Sequence, residues 1–150
     1  MDEFCGEEQG IQLVLFKLEV ETYGVNIATV REIILTQHYT HFPEARSFVE
    51  GLINLRGKII PVIDLKKLFD LKQKAKTDQN RIMVMDVKGV SFGMIVDEVL
   101  EVVYISREMI EPPPPAFNGI DGGFIDGIAN KGGEIIVVLN TVKILEANIQ

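Results

Sequence analysis

Little of the equipment of catalysis or nucleic-acid binding is present in this chain of 150 residues, which has one cysteine, no tryptophan, three tyrosines and two histidines. Cys5 lies in the acidic opening segment Met1–Gly10 and has no partner for an internal disulfide, which suits the reducing cytoplasm. That segment lacks the basic and apolar regions of a signal peptide. No apolar run approaches the roughly 20 residues of a membrane-spanning helix. Positive charge is also scarce, with 15 Lys and Arg against 22 Asp and Glu and a formal charge of −7. Non-specific binding to nucleic acid or to an anionic membrane needs the opposite field. Stacking of single-stranded bases needs more aromatic surface than three tyrosines provide.

Site chemistry is equally sparse. His38 and His41 are spaced i, i+3, but no second His pair or Cys pair completes a zinc site, so they read as solvated loop histidines. Cys5 in a frayed terminus makes no credible nucleophile. Neither a nucleophile elbow nor a phosphate-cradling glycine loop occurs. Asp97 and Glu98 are adjacent, and on a strand they point to opposite faces unless a bulge intervenes. The expectation is a protein with no enzymatic activity, no cofactor and no metal site.

What the chain does have is apolar material, 47% of its residues. A domain of this length buries roughly 70% of its unfolded surface. The runs are short and rich in β-branched residues, as in Leu13–Phe16, Ile59–Ile63, Ile82–Met85, Met94–Val96 and Ile135–Leu139. Bounded by Gly, Asn, Asp or Pro, they predict strands. Two stretches change period. Leu65, Leu68 and Phe69 follow Asp64, and Val142, Leu145 and Ile149 follow Asn140. Each predicts a short helix behind an N-capping residue.

Internal repetition organises these elements. Gly51–Asp64 aligns without a gap on Gly127–Asn140, matching Gly51 with Gly127, Asn54 with Asn130, Gly57 with Gly133 and Val62 with Val138. Upstream, Tyr23-Gly24-Val25 resembles Phe92-Gly93-Met94. Each half therefore reads as hairpin, irregular connection, second hairpin, short helix. Two all-β units this small need to pack together to share a core. The expectation is one domain over residues 1–150, ordered from Ile11 to Ala147, with Lys72–Asn80 linking the halves. Pro112–Pro115 reads as a stiff spacer in a second long connection.

Repetition also supplies a control, because features that serve the fold should occur twice. The glycines and Asn54/Asn130 pass this test and read as turn-builders. Leu55-Arg56 against Lys131-Gly132 does not pass. The Arg56 guanidinium either grips a carboxylate bidentately or is a solvated turn arginine, and spacing alone leaves both open. Pro61, opposite Val137, suits an edge strand or a bulge.

The stretch from Gly51 to Leu65, with its Asn54-Leu55-Arg56-Gly57 core, resembles the signature of the chemotaxis coupling protein (CheW) family. Phe16–Leu18, Tyr23–Ile27, Val30–Ile33, Gly93–Val102 and Ile110–Pro115 resemble further family segments in the expected order. The resemblance implies a mainly β fold of two intertwined five-stranded SH3-like β-barrels with short helices, one of them C-terminal. It also implies a non-enzymatic cytoplasmic adaptor, recruited to membrane-associated receptor arrays. Such an adaptor couples the cytoplasmic tips of chemoreceptors to the regulatory domain of the chemotaxis histidine kinase. The alternative is a module of the same fold in a non-chemotactic kinase pathway such as surface motility.

By the same resemblance, Val30, Glu32, Ile33, Val99 and Val102 contribute to receptor binding. Gly51, Asn54, Leu55, Arg56 and Gly57 lie at the kinase contact. Exposed Val or Ile in these segments would be anchors, and buried ones ordinary core. An Arg56–Glu32 ion pair is expected to join the two surfaces. Met1–Gly10, polar and without a packing period, is expected to be dispensable.

Overall fold

The computed structural model describes residues 10–36, 49–71, 79–117 and 120–149. His38, His41, Cys5 and most of the expected linker fall outside them. The first half runs β1 (Gly10–Leu18), β2 (Glu21–Asn26), β3 (Val30–Leu35), β4 (Val49–Leu55), β5 (Lys58–Asp64) and helix α1 (Leu65–Leu68). The second runs β6 (Arg81–Val87), β7 (Val90–Val96), β8 (Glu98–Ser106), three two-residue strands, β9 (Ile110–Glu111), β10 (Ala116–Phe117) and β11 (Ile120–Asp121), then β12 (Ile125–Lys131), β13 (Glu134–Leu139) and helix α2 (Thr141–Ile149). Every predicted run lies inside a strand, but the strands are longer. Gly10 already pairs with Ser106 of β8 and is buried, so the expected dispensable terminus runs one residue into β1.

Strand pairing crosses between the halves. β1 and β2 form one hairpin, and β6 and β7 another. β3 leaves the first hairpin to pair with β6 of the second, while β8 leaves the second to pair with β1 of the first. The two larger sheets are ordered β8-β1-β2-β13-β12-β9 and β3-β6-β7-β5-β4, and β10 pairs with β11 alone. This exchange is what makes the two SH3-like barrels intertwined. β9 is the continuation of β8 beyond a 3-10 turn at Arg107–Met109, and it pairs with β12, bringing the two edges of the first barrel together. The connection around Lys72–Asn80 divides the halves of the repeat, yet α1 before it and β6 after it belong to the same barrel.

The repeat is reproduced in register. Leu55 faces Lys58 across one two-residue turn and Lys131 faces Glu134 across the other. All four central residues have positive φ: Arg56 52°, Gly57 84°, Gly132 59° and Gly133 89°. Asn54 Oδ1 accepts the Gly57 N–H at 2.9 Å and Asn130 Oδ1 the Gly133 N–H at 3.1 Å, the turn-building role expected of both. β5 runs parallel to β7, with Val62 beside Gly93, and β13 runs parallel to β2, with Val138 beside Gly24. A Cβ on Gly93 would stand 2.8 Å from the Ile82 side chain, which is why glycine occurs there. Pro61 is not on an edge, because β5 is an interior strand. The parallel ladder begins at Val62, so the missing N–H falls just outside it.

Alternate side chains along these strands feed different cores. Leu13 and Leu15 of β1 fill the first barrel with Ile136 and Val138. Ile60, Val62, Ile82 and Val84 fill the second. Val14, Phe16, Tyr23, Met83, Met85, Phe92, Met94 and Val137 point the other way, into a layer shared by both sheets. Tyr23 is the odd member. Its hydroxyl is buried with no partner among the described residues, its pKa is pushed up to about 12 by burial and then by Glu21, and its repeat counterpart is Phe92.

Where the chain passes from one barrel to the other, a polar cluster fastens the joint. Lys66 of α1 has a side chain only 8% exposed, with Nζ 3.0 Å from Glu19 Oε2 and 2.9 Å from Asp97 Oδ1. Glu19 sits in the β1–β2 turn, Asp97 in the β7–β8 crossover, and Asp97 Oδ2 also accepts the Glu19 N–H at 2.7 Å. Burial by itself would lower the Lys66 pKa, and hydrogen bonds and Coulomb attraction from Asp97 and Glu19 more than reverse it. The Asp97 carboxylate is thereby committed to the fold. Lys66→Ala would leave two carboxylates facing each other in a partly dry site and should cost about 3 kcal/mol, or roughly 10 °C in Tm. Lys66→Met, which keeps the stem, should be nearly as damaging in thermal unfolding. If it is benign, packing rather than charge holds the joint.

Both helices begin at capping residues as expected. Asp64 Oδ1 accepts the Lys66 N–H at 3.0 Å, and Asn140 Oδ1 accepts the Lys143 N–H at 3.0 Å. Asp64 is buried, which raises its pKa, and nearby Glu50 adds to the rise although Lys67, ion-paired to Glu50, opposes it. A raised folded-state pKa means stability present below the unfolded value and lost as pH rises through the folded one. Asp64→Asn copies the cap of the other half and removes that loss. The variant should match the wild type near pH 3.5 and unfold at a higher temperature at pH 7. Equal melting temperatures at pH 7 would reject the assignment.

Candidate interaction surface

Charge and apolar groups gather where the swapped strand β3 meets the β4–β5 turn. The two-residue turn with both residues in the left-handed region directs the Arg56 side chain outward. There it meets Glu32 of β3 in a bidentate pair, Nη1 to Oε2 at 2.7 Å and Nη2 to Oε1 at 2.6 Å. Side-chain exposure is 69% for Arg56 and 26% for Glu32. The hydrogen bonds from Arg56 hold the Glu32 carboxyl below its usual pKa, and the same contact raises that of Arg56. Of the two readings left open for Arg56, the structure supports the carboxylate grip, with the expected partner.

The first barrel has no equivalent pair. At the offset that relates Tyr23 to Phe92, Val30 falls on Val99, Glu32 on Glu101 and Ile33 on Val102. β3 and β8 are therefore repeat counterparts, and the two segments expected at the receptor are one motif used twice. Glu101 is exposed, and Gly132 stands where Arg56 would be needed.

The remaining expected site residues divide by burial. Ile33 and Val102 are exposed. Val30 and Val99 pack against the shared core and act as ordinary core. Asn54, Arg56 and Gly57 are exposed at the turn, Leu55 packs against the interior of the second barrel, and Gly51 is buried beside a register shift in β4. Gly127 lies beside the same irregularity in β12, so Gly51 shapes the hairpin. Three outward apolar residues went unnoticed in the sequence. Leu35 lies two positions beyond Ile33, and Leu100 and Tyr104 flank Val102 at the same spacing. Strand periodicity was the signal that would have found them.

A wider depression of about 490 Å³ lies against α2, lined by Asp121, Phe124, Lys143 and Glu146 among others, remote in sequence from all expected site residues. Among the described residues no three His, Cys, Asp or Glu side chains gather as a metal site would require, and no helix is long and apolar enough to cross a membrane.

A family model for the CheW-like domain matches residues 12–148. "Chemotaxis protein CheW" of Treponema pallidum is 32% identical over 144 residues, covering 93% of this chain and 85% of that protein. The protein of the same name in Thermotoga maritima is 31% identical over 140 residues, covering 90% and 87%. The crystal structure of the scaffolding protein TtCheW from Thermoanaerobacter tengcongensis aligns with a TM-score of 0.81 at 43% identity, covering 87% of this chain and 84% of that one. With strand exchange, duplicated hairpins and nearly full-length matches in agreement, this chain belongs to the CheW-like domain family.

Proposed function

We propose that the protein is a non-enzymatic chemotaxis adaptor of the cytoplasm. It bridges the regulatory domain of a chemotaxis histidine kinase and the cytoplasmic tips of chemoreceptors, and is recruited with them to membrane-associated arrays. The observation that carries this reading is the Arg56–Glu32 pair. It is largely exposed, unnecessary for the repeat, and joins the turn assigned to the kinase with the strand assigned to the receptor. Ile33 and Leu35 beside it, and Leu100, Val102 and Tyr104 on the counterpart strand, supply exposed apolar anchors of the kind that mark docking surfaces. Receptor contact falls on these outward residues, and kinase contact on Asn54–Gly57.

An exposed ion pair contributes little to folding, and a non-glycine residue at φ 52° is mildly strained. Arg56→Gly reproduces Gly132 and should leave Tm unchanged or slightly higher while weakening coupling. A fall of several degrees would make the pair a structural one. Arg56→Glu should impair receptor-stimulated kinase activity in a reconstituted mixture of adaptor, kinase and receptor fragment, and adding Glu32→Arg should restore part of it. A double variant no better than the worse single variant would reject a functional pair.

A further inference from the structure

The Arg56–Glu32 pair stands on the rim of a cavity of about 210 Å³ at the open end of the second barrel. Leu55, Ile60 and Val84 form its floor, continuous with the barrel interior. Arg31, Glu32, Arg56 and Lys58 form its rim with Ser91. Small-molecule and cofactor sites usually run from roughly 300 to 1,000 Å³. This one is sized for a single side chain, and its floor favours an aliphatic one.

The rim carries three cations in a protein of net charge −7. Two are neutralised within the chain, Arg31 by Asp86 at 2.9 Å and Arg56 by Glu32. Lys58 reaches only the Ser91 hydroxyl, at 3.2 Å, and among the described residues no carboxylate lies within ion-pair distance of it. An ammonium group beside an apolar cup favours a ligand that brings its own carboxylate.

The repeat makes this mouth different from its counterpart. Lys58 aligns with Glu134, Arg56 with Gly132 and Arg31 with Leu100, while Glu32 aligns with Glu101. Glu134 accepts a hydrogen bond from Thr22, where Lys58 donates to the matching Ser91. Charge is therefore reversed on a conserved backbone frame. An acidic segment that suits one mouth meets carboxylates at the other, and like charges facing each other suppress the wrong docking.

We infer that the Lys58 mouth is a side-chain acceptor: it takes an aliphatic side chain of the kinase regulatory domain, next to a carboxylate that pairs with Lys58, and the charge reversal fixes which barrel faces the kinase. The inference rests on the kinase reading of the Asn54–Gly57 turn, with which Lys58 is contiguous. Purified kinase regulatory domain is the probe, titrated calorimetrically with the full-length adaptor. Lys58→Glu, which places at this turn the residue that Glu134 supplies at the other, should keep its melting temperature and weaken binding at least about tenfold. Lys58→Arg should bind nearly as the wild type does. Lys143→Glu, the same charge change on α2, should bind like the wild type. Wild-type affinity should fall when salt rises from about 0.1 M to about 0.5 M. Undiminished binding by Lys58→Glu overturns the acceptor and leaves the kinase reading standing. An equal loss in Lys143→Glu overturns it too, by showing a bulk-charge effect. If the wild-type adaptor does not bind the kinase domain, the kinase reading falls and the inference with it.

Discussion

Between the two sheets lies an apolar layer to which both contribute, with Phe16, Tyr23, Met83 and Phe92 wholly removed from water. Neither barrel is large enough to be stable on its own interior, which amounts to a few aliphatic side chains each. Hairpin strands buried on both faces solve that shortage, giving alternate residues to a barrel and to the shared layer. The exchange of β3 and β8 follows, since each outgoing strand covers an edge that the other hairpin would otherwise expose. The two barrels consequently pack against each other through one shared layer.

The polar features divide into those that close this body and those that face outward. Lys66, Glu19 and Asp97 sit at the crossover where β7 leaves one barrel for the other, with charges desolvated enough that each needs its partner. Arg56 and Glu32 use the same chemistry at the surface, where water supports either charge alone and the gain lies in geometry. A bidentate guanidinium–carboxylate contact pins the β4–β5 turn to β3 in one orientation. Burial, more than residue type, separates a structural ion pair from one available to a partner.

Internal repetition proved a sharp but incomplete control. It correctly assigned Asn54 and Asn130 to their turns and singled out Arg56 as unneeded by the hairpin. Lys66 shows where it stops. Its counterpart is Val142, so it too occurs once, yet it serves the fold. A joint between two similar units need not be repeated in either of them. Single occurrence therefore marks residues that break the symmetry, whether by joining the units or, as the reversal from Lys58 to Glu134 does, by giving the two turns opposite charge.

Features governed by near neighbours in the chain were legible from residues alone. Short, β-branched apolar runs specified strands, Asp64 and Asn140 specified helix starts, and the Gly51–Asp64 repeat specified matching hairpins with matching turns. Two properties required the folded molecule. Pairing of β3 with β6 and of β8 with β1 joins segments distant in sequence, and apolar runs carry no label for their partner. Exposure of Ile33 and Val102 alongside partial burial of Val30 and Val99 depends on register shifts at Val30/Glu32 and at Val14/Phe16. A shift of one residue exchanges the faces of everything beyond it, so which side chains face outward was decided by the packing that placed the bulge.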